Sequence, residues 1–237
     1  IDPGVHNVIN SFYYFMMKTI NEIRNILGID YDKAELEDFR KAFIKVFYNN
    51  KTGLYIDSEG SQHSALHSNV LPLFFDLIPD KGYNTSVDFI KKKGLSCGVY
   101  MAYFVLKALA KAGEHEFVYD LINSDSPNSW GNMVKEGATT CFEAWGKDQK
   151  WNTSLCHPWA SAPIPVLIED IIGLSPAKPG WTEIRFEPHI PSKVSHMSLE
   201  VYVKTGKIKV EYRGGDINIQ GPEGVPIKSS KLKLSNR

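Results

Sequence analysis

The stretch GLSPAKPGW, residues 173–181, marks the point at which the periodicity of the chain changes. Its two glycines and two prolines are residues that end helices and form turns. Upstream of it apolar residues recur every three or four positions, and downstream they alternate with polar residues. The sequence therefore predicts an α+β, multidomain chain, with helical hairpins in residues 1–175 and a small antiparallel β domain in residues 176–237.

The helical part begins with a long amphipathic pattern that runs from Val8 and is stopped by Gly28. Asp30 is predicted to cap a second helix, which ends at NNKTG, residues 49–53. Connections of this length join antiparallel neighbours, so the pattern predicts about three helical hairpins. The remaining predicted helices cover residues 62–77, 86–93, 97–112, 116–122, 130–135 and 158–172.

The β part is predicted from three stretches in which apolar and polar residues alternate, namely 182–188, 198–213 and 216–221. Glycine-containing turns at 204–206 and 214–215 separate the strands. Because one face of each strand is polar, a solvated outer face and a buried inner face are expected.

Charge and composition limit the possible partners. The chain carries 27 basic and 27 acidic residues, so its net charge gives no attraction to nucleic acid or to an acidic membrane. No run of 18 apolar residues occurs, and no membrane association is predicted. The three cysteines are interpreted as small buried hydrophobic residues. No cofactor and no metal ion are predicted, and the cellular compartment stays open.

Glu143 is the candidate catalytic residue that the sequence itself offers. It lies in TTCFEAW, residues 139–145, where β-branched and bulky residues favour a loop between helices. Nearby Trp145, with Trp130 and Trp151, would exclude water, raise the pKa of the carboxyl and make it a proton acceptor near neutral pH. Alternatively, Glu143 caps a helix or pairs with a lysine.

Histidines supply the second set of candidates. His157 directly precedes Pro158 and so lies at a helix N-terminus, where a neutral imidazole donates to a sugar hydroxyl or holds the carboxylate. A cap or a core hydrogen-bond donor is the alternative. His63 and His67 are four residues apart, but no third ligand is evident, so they are expected to hydrogen-bond in the core or to face a central cavity.

Five motifs resemble, in this order, the C-terminal part of the bacterial α-L-rhamnosidases, glycoside hydrolase family 78. The resemblance extends from about Val5 to Pro188 and more loosely through the β segment. It implies a partial (α/α)6 six-hairpin barrel followed by a small antiparallel β-sandwich-like domain. The motifs are SQHSALHSNVLPLFFDLIP (61–79), KGLSCGVYMAYFVLKALAKAGEHEFVYDLI (93–122), SWGNMVKEGATTCFEAWG (129–146), SLCHPWASAP (154–163) and IGLSPAKPGWTEIRFEP (172–188).

The resemblance also implies an inverting hydrolase that releases terminal α-L-rhamnose from a rhamnose-containing oligosaccharide or glycoside. The glutamate of the family motif Thr-Thr-x-x-Glu-x-Trp falls on Glu143 and implies the general base. The substrate-binding histidine of the family falls on His157, although Cys156 replaces the usual asparagine before it. Trp130, Trp145 and His67 are further substrate-binding candidates.

The general acid of the family belongs to an earlier segment, and nothing before His6 resembles it. We therefore expect a C-terminal piece of a longer enzyme that carries the base without the acid, shows no activity alone, and self-associates through exposed barrel faces. Three other interpretations stay open: a six-hairpin glycosidase for another sugar, a non-catalytic carbohydrate-binding or scaffold module, and a helical protein-interaction module.

Overall fold

The computed structural model of the chain describes residues 4–231. Residues 1–3 and 232–237, which belong to the two predicted domains, lie outside the described residues. The α-helices of this part are α1 Asn7–Leu27, α2 Lys33–Phe47, α3 Leu66–Phe74, α4 Tyr83–Lys93, α5 Val99–Lys111, α6 His115–Ile122, α7 Trp130–Lys135 and α8 Pro163–Val166. Its strands are β1 Tyr48–Asn49, β2 Leu54–Tyr55, β3 Leu174–Lys178, β4 Glu183–Phe186, β5 His196–Val203, β6 Gly206–Arg213, β7 Asp216–Gln220 and β8 Ile227–Lys228.

Consecutive helices pack in pairs, α1 with α2, α3 with α4 and α5 with α6. The predicted helical hairpins are thereby confirmed. Helix α5 lies at the centre because it also contacts α3 and the turn that follows residue 157. Its inner residues are fully buried and include Ala102, Val105, Leu106, Ala108 and Leu109.

The ends of the first two helices follow local capping rules. Helix α1 ends where Gly28 adopts a left-handed conformation, with φ 67°, as predicted for a helix stopped by glycine. The prediction of Asp30 as the cap of α2 is wrong. Asp32 is the cap, because it directly precedes Lys33 and its carboxylate accepts a hydrogen bond of 2.8 Å from the amide of Ala34.

Helix α3 begins at Leu66, four residues later than predicted. The Asp57 carboxylate, which lies outside the helix, accepts hydrogen bonds from the Ala65 amide at 2.7 Å and the Ser68 hydroxyl at 2.6 Å. Its other oxygen contacts the ring of His63. The start of α3 is therefore capped by a distant aspartate, a contact that local sequence patterns do not reveal.

The apolar stripe of α1 lies at the surface of this chain. The packed side of α1 combines apolar and polar contacts. Tyr14 joins the helical core, and the buried Asn7 side-chain amide donates to the carbonyls of Ile56 and Ser68 while its oxygen accepts from the Ser11 hydroxyl. The exposed apolar residues of the helix are Ile9, Tyr13, Phe15, Met16, Ile20, Ile23, Ile26 and Leu27.

The predicted single helix over 158–172 is wrong, because the segment is broken into three pieces. A 3-10 turn, Pro158–Ala160, is followed by α8 and then by a π-helical turn, Leu167–Ile171. Pro163 and Pro165 have no amide hydrogen to donate, which weakens a continuous helical ladder. The segment ends at Gly173, as predicted.

Two three-stranded sheets form the β part, with orders β3-β4-β8 and β5-β6-β7. The hairpin of β5 and β6 and the strand β7 are confirmed at their predicted places. Strand β3 lies within the turn-rich stretch 173–181, where no strand was predicted, and β8 adds to β4 in parallel rather than antiparallel. Both sheets contribute to one small core, so the sandwich-like arrangement is confirmed; its buried residues are Ile172, Leu174, Ile184, Phe186, Ile208 and Val210.

The helices and the sheets meet at a tight junction around Gly173. A Cβ atom at this glycine would lie 2.0 Å from the carbonyl oxygen of Glu187, so no side chain fits there. The following segment is fastened to α6: Lys193 pairs with Asp120 at 2.6 Å, and the rings of His115 and His189 stack 3.7 Å apart.

The stacked rings belong to half-buried histidines with perturbed acidity. Burial, followed by the nearby His189, lowers the pKa of His115 to about 4. Burial, followed by the charge of Lys231, also lowers the pKa of His189. Both imidazoles are therefore held neutral, because two charged rings at this separation would repel each other.

The pH dependence of stability tests this pair. In the unfolded chain both histidines have a pKa of about 6.5, so between pH 6.5 and about 4 the unfolded state binds more protons than the folded state. The pair's contribution to the free energy of unfolding is thus complete above pH 6.5 and is lost as the pH falls. His115→Phe should flatten this pH dependence in urea unfolding, whereas the exposed control His196→Gln should leave it unchanged. Equal slopes for His115→Phe and the unmodified chain would contradict the assignment.

Candidate active site

The predicted site loop connects α7 to the turn at Pro158, and its two ends are paired with each other. The Glu143 amide donates to the Ser154 carbonyl at 2.9 Å, and the His157 amide donates to the Cys141 carbonyl at 2.8 Å. The Thr140 hydroxyl adds a hydrogen bond of 2.6 Å to the carbonyl of Leu155. The predicted irregular loop around residue 143 is confirmed, and the pairing brings Glu143 and His157 to the same place.

Trp145 anchors the loop to the helical core. Its side chain is only 3% exposed, and its indole nitrogen donates to the carbonyl of Cys97, just before α5, at 2.6 Å. The ring also meets Trp130 edge to face at a centroid distance of 4.9 Å. A buried aromatic residue with its polar atom satisfied is a strong fixed point, so the loop cannot shift without breaking core packing.

Glu136 holds the same loop from the side of α7. Its carboxylate accepts from the Asn132 side chain at 2.9 Å and from the Lys147 amide at 2.7 Å. Asn132 also donates to the carbonyl of Trp145 at 3.0 Å. The short helix α7 and the residue after it thus fix residues 145–147, just after Glu143.

The Glu143 carboxylate forms an ion pair and is not desolvated by tryptophan side chains. Lys150 donates to Oε1 at 2.8 Å, the Ser154 amide donates to Oε2 at 3.1 Å, and about a fifth of the side chain is exposed, at 20%. The hydrogen bond from Lys150, followed by that from Ser154, lowers the pKa of Glu143. The predicted rise of this pKa by desolvation is therefore wrong, because a cation lies where water was expected to be excluded.

His157 is placed at the start of the 3-10 turn Pro158–Ala160, as predicted for a residue before a helix-starting proline. Its charge acts on the Glu143 carboxylate, so the two side chains share one site. The ring contacts that of Trp159 at a centroid distance of 4.3 Å. Trp159 in turn contacts Tyr100 of α5 at 5.6 Å.

An apolar cleft of about 430 Å³ adjoins this pair of aromatic rings. Trp159 and Tyr100 are both exposed, and they form its wall beside His157. The remaining lining residues are Tyr103, Phe104, Pro158, Ser161, Ala162 and Pro165. Sequence patterns did not single out Trp159, Tyr100 or Lys150, although HPW and the aromatic start of α5 could have indicated the first two.

The other predicted site residues have different surroundings. Trp130 is half-buried and donates from its indole nitrogen to the carbonyl of Ala160 at 2.7 Å, so its ring supports the loop from below. Trp151 is 97% exposed and does not help to enclose Glu143. His67, on α3, is half-buried, and burial lowers its pKa. Substrate contacts for Trp130, Trp145, His157 and His67 stay predictions.

The two remaining histidine and cysteine interpretations are partly corrected. His63 precedes α3, is exposed and pairs with Asp57, so His63 and His67 do not share a helical face. Cys97 is buried, which raises the pKa of its thiol to about 12. Cys156 is exposed rather than buried, because it lies in the irregular stretch before His157.

The described residues contain neither a cluster suited to a metal ion nor a membrane-spanning helix. In residues 4–231 no three histidine, cysteine, aspartate or glutamate side chains lie together in a way that could bind a metal ion. None of the helices in this range has the length and apolar character needed to cross a bilayer.

Solved structures with the same arrangement of hairpins and sheets are α-L-rhamnosidases. The enzyme from Dictyoglumus thermophilum superimposes with a TM-score of 0.82 at 22% identity, over 96% of this chain and 27% of that chain. The enzyme from Streptomyces avermitilis, solved with L-rhamnose, superimposes with a TM-score of 0.78 at 18% identity, over 93% of this chain and 22% of that chain. These likenesses define the fold class as a six-hairpin glycosidase scaffold with a C-terminal β part.

Sequence comparison identifies the family within this class. The family described as bacterial alpha-L-rhamnosidase 6 hairpin glycosidase domain matches residues 4–171, and the bacterial alpha-L-rhamnosidase C-terminal domain matches residues 173–229. The chain therefore belongs to the bacterial α-L-rhamnosidases, a family of glycosidases.

Two curated relatives named alpha-L-rhamnosidase give the extent of the match. The relative from Alteromonas sp. (strain LOR) is 25% identical over 83% of this chain, and the one from Formosa agariphila is 25% identical over 86%. The chain spans 23% of the length of each relative.

A substitution at Trp145 tests the anchoring role. Trp145→Phe keeps an aromatic ring but leaves the buried Cys97 carbonyl without its donor, which should lower the free energy of unfolding by about 1–3 kcal/mol. Trp151→Phe, at the exposed tryptophan of the same loop, is the matched control and should change it by less than about 0.5 kcal/mol. Urea unfolding followed by circular dichroism measures both. Equal effects of the two substitutions would show that the indole hydrogen bond does not anchor the loop.

Proposed function

We propose that this chain is the C-terminal part of an inverting glycoside hydrolase that releases terminal α-L-rhamnose, with Glu143 as the general base. The observation that carries the proposal is the joint placement of Glu143 and His157 by the paired loop, at the positions of the family motif. An inverting enzyme needs two carboxyl groups about 6.5–9.5 Å apart, one of which activates water. The proposed division of the chain into residues 1–175 and 176–237 leaves this pair within the helical part.

The low pKa of Glu143 supports a role as general base rather than as general acid. Its lowered pKa keeps it a carboxylate at neutral pH, when it can accept a proton from water and cannot donate one to a leaving group. Each of its oxygens accepts one hydrogen bond, from Lys150 or from Ser154, and a carboxylate oxygen has a second lone pair for a water molecule.

The general acid is proposed to come from residues outside this chain, since the family places it on an earlier segment. In this scheme the acid protonates the glycosidic oxygen as the bond to the anomeric carbon breaks. Glu143 takes a proton from the water that attacks the opposite face, so the product sugar has the inverted configuration.

His157 and the neighbouring cleft are proposed to hold the sugar. The imidazole offers a donor or acceptor to a ring hydroxyl, and the walls made by Trp159 and Tyr100 are apolar. Rhamnose is a 6-deoxy sugar, and its methyl group needs an apolar contact that a hydroxymethyl group does not. An exposed aromatic face beside His157 therefore suits this sugar.

Replacement of the proposed base tests the function in an enzyme that contains this chain together with the segment carrying the acid. Glu143→Gln should reduce the turnover of an aryl α-L-rhamnoside by about 10²–10⁴-fold while L-rhamnose binding is retained, because shape is kept and basicity is lost. Proton NMR of the unmodified enzyme should show β-L-rhamnose as the first product.

Four outcomes would count against this scheme. Unchanged turnover in Glu143→Gln would refute the role of Glu143 as general base. An α-configured first product would refute the inverting mechanism. Measurable turnover by the isolated chain would contradict the proposed origin of the acid outside it. Retained sugar binding by an enzyme form that never shows turnover would favour the carbohydrate-binding module instead, for which the exposed rings of Trp159 and Tyr100 are the supporting observation.

We also propose that the isolated chain self-associates through the apolar stripe of α1. Contiguous apolar surface of this kind on a soluble protein marks a contact face. Its most exposed members include Ile9 at 68% and Ile26 at 84%. A second copy of the chain presents the same surface, so two copies can cover each other.

Light scattering of the isolated chain at increasing concentration measures this association. The double substitution Ile9→Glu with Ile23→Lys should shift the molecular mass towards that of the monomer, because it places charges in the apolar contact. Lys92→Glu, on the exposed side of α4, serves as the control and should leave the mass unchanged. A monomeric unmodified chain would refute the proposal.

A further inference from the structure

The side chain of Lys150 has one well-defined partner, and that partner is the proposed base. Its ammonium nitrogen lies 2.8 Å from Oε1 of Glu143. The main chain of Lys150 is fixed by Thr153, whose hydroxyl accepts from the Lys150 amide at 3.2 Å and donates to the Lys150 carbonyl at 3.0 Å. A turn therefore holds the main chain of Lys150 in place, although almost half of its side chain, 45%, is exposed.

The surroundings of the Glu143 carboxylate contain few other groups. The Ser154 amide binds the second oxygen at 3.1 Å, and His157 is the other titratable side chain whose charge acts on it. Lys150 is thus the permanent positive charge in direct contact with the carboxylate. Of the indole rings that were expected to control this group, Trp145 is buried in the helical core and Trp151 is exposed to solvent.

We propose that Lys150 is a positioning residue for the hydrolytic reaction: its ammonium group holds the Glu143 carboxylate in one orientation and directs its free lone pairs towards the attacking water. This inference rests on the proposed role of Glu143 as general base. One lone pair of Oε1 is occupied by Lys150 and one of Oε2 by the Ser154 amide. The carboxylate cannot rotate freely while both contacts persist, so its remaining lone pairs point in fixed directions.

The contact has a predictable chemical effect. During the reaction the proton of the attacking water moves to the Glu143 carboxylate, and the water oxygen forms the new bond to the anomeric carbon as the glycosidic bond breaks. A neighbouring ammonium lowers the proton affinity of the carboxylate, so the base stays ionised in more acidic solution. The enzyme would then keep its activity at lower pH than an unpaired glutamate allows.

The first measurement uses the chain itself. Carbon-13 NMR of the Glu143 side-chain carboxyl, assigned with Glu143→Gln, gives its pKa directly. Lys150→Met should raise this pKa towards the ordinary glutamate value, with the Ser154 amide still lowering it, and Lys150→Arg should keep it low, because the positive charge is retained. Lys147→Met removes an exposed lysine from the same loop without touching the carboxylate and should have no effect.

The second measurement follows kcat/KM against pH in the enzyme that contains this chain and the general acid. At about pH 4.3 the Lys150→Met variant should lose a substantial part of its neutral-pH value, because its Glu143 carboxylate is then partly protonated. The unmodified enzyme, Lys150→Arg and Lys147→Met should retain a larger fraction. Short assays from a neutral stock, with activity measured again after return to pH 7, separate this effect from acid unfolding.

The outcomes separate the two proposals. If the pKa of Glu143 is the same in Lys150→Met and in the unmodified chain, the positioning role of Lys150 is refuted. If that pKa rises but Glu143→Gln remains active, the proposed base fails while the ion pair stands. If the pKa rises and the acidic limb of kcat/KM does not move, Lys150 has only a structural role.

Discussion

The hydrogen bond from the Trp145 indole to the Cys97 carbonyl is the contact on which the candidate site depends. It joins the loop to the residue just before α5, a helix in which nine of 13 residues are buried. A buried carbonyl that loses its donor is costly, so this joint resists displacement. Glu143 lies only two residues before Trp145, and its position relative to the core follows from that anchor.

The pairing of the loop ends then brings a second candidate residue to the anchored carboxylate. Backbone hydrogen bonds across 141–143 and 154–157 carry His157 to the side of Glu143, even though the two are 14 positions apart in the chain. Lys150, at the closed end of the loop, supplies a charge. The pKa of the carboxylate is therefore set mainly by an ion pair, while the buried Trp145 ring fixes the position of the loop.

How much the sequence predicts depends on whether a feature is local. The hairpins, the stop at Gly28 and the strands β5 to β7 follow from periodicity and turn residues, and they are confirmed. The late start of α3 depends on Asp57 from outside the helix, and strand β8 depends on pairing with a distant strand. Such contacts leave no periodic signal, because the partner residues are far apart in sequence.

The candidate site divides in the same way. Residue types and the family motif indicate Glu143 and His157 from the sequence alone. The sign of the pKa shift of Glu143 was not predictable, because it depends on how the loop folds Lys150 back onto the carboxylate. The exposure of Trp151 and the burial of Trp145 likewise depend on loop geometry, since both are tryptophans in one short stretch.

The parallel pairing of β8 with β4 has a consequence for biosynthesis. Strand β4 spans 183–186 and acquires its neighbour only when residues 227–228 are available. While the chain is being made on the ribosome, β4 therefore keeps an open edge until more than forty further residues have been added. An open strand edge invites pairing with other nascent chains, and the pairing with β8 covers this edge of β4.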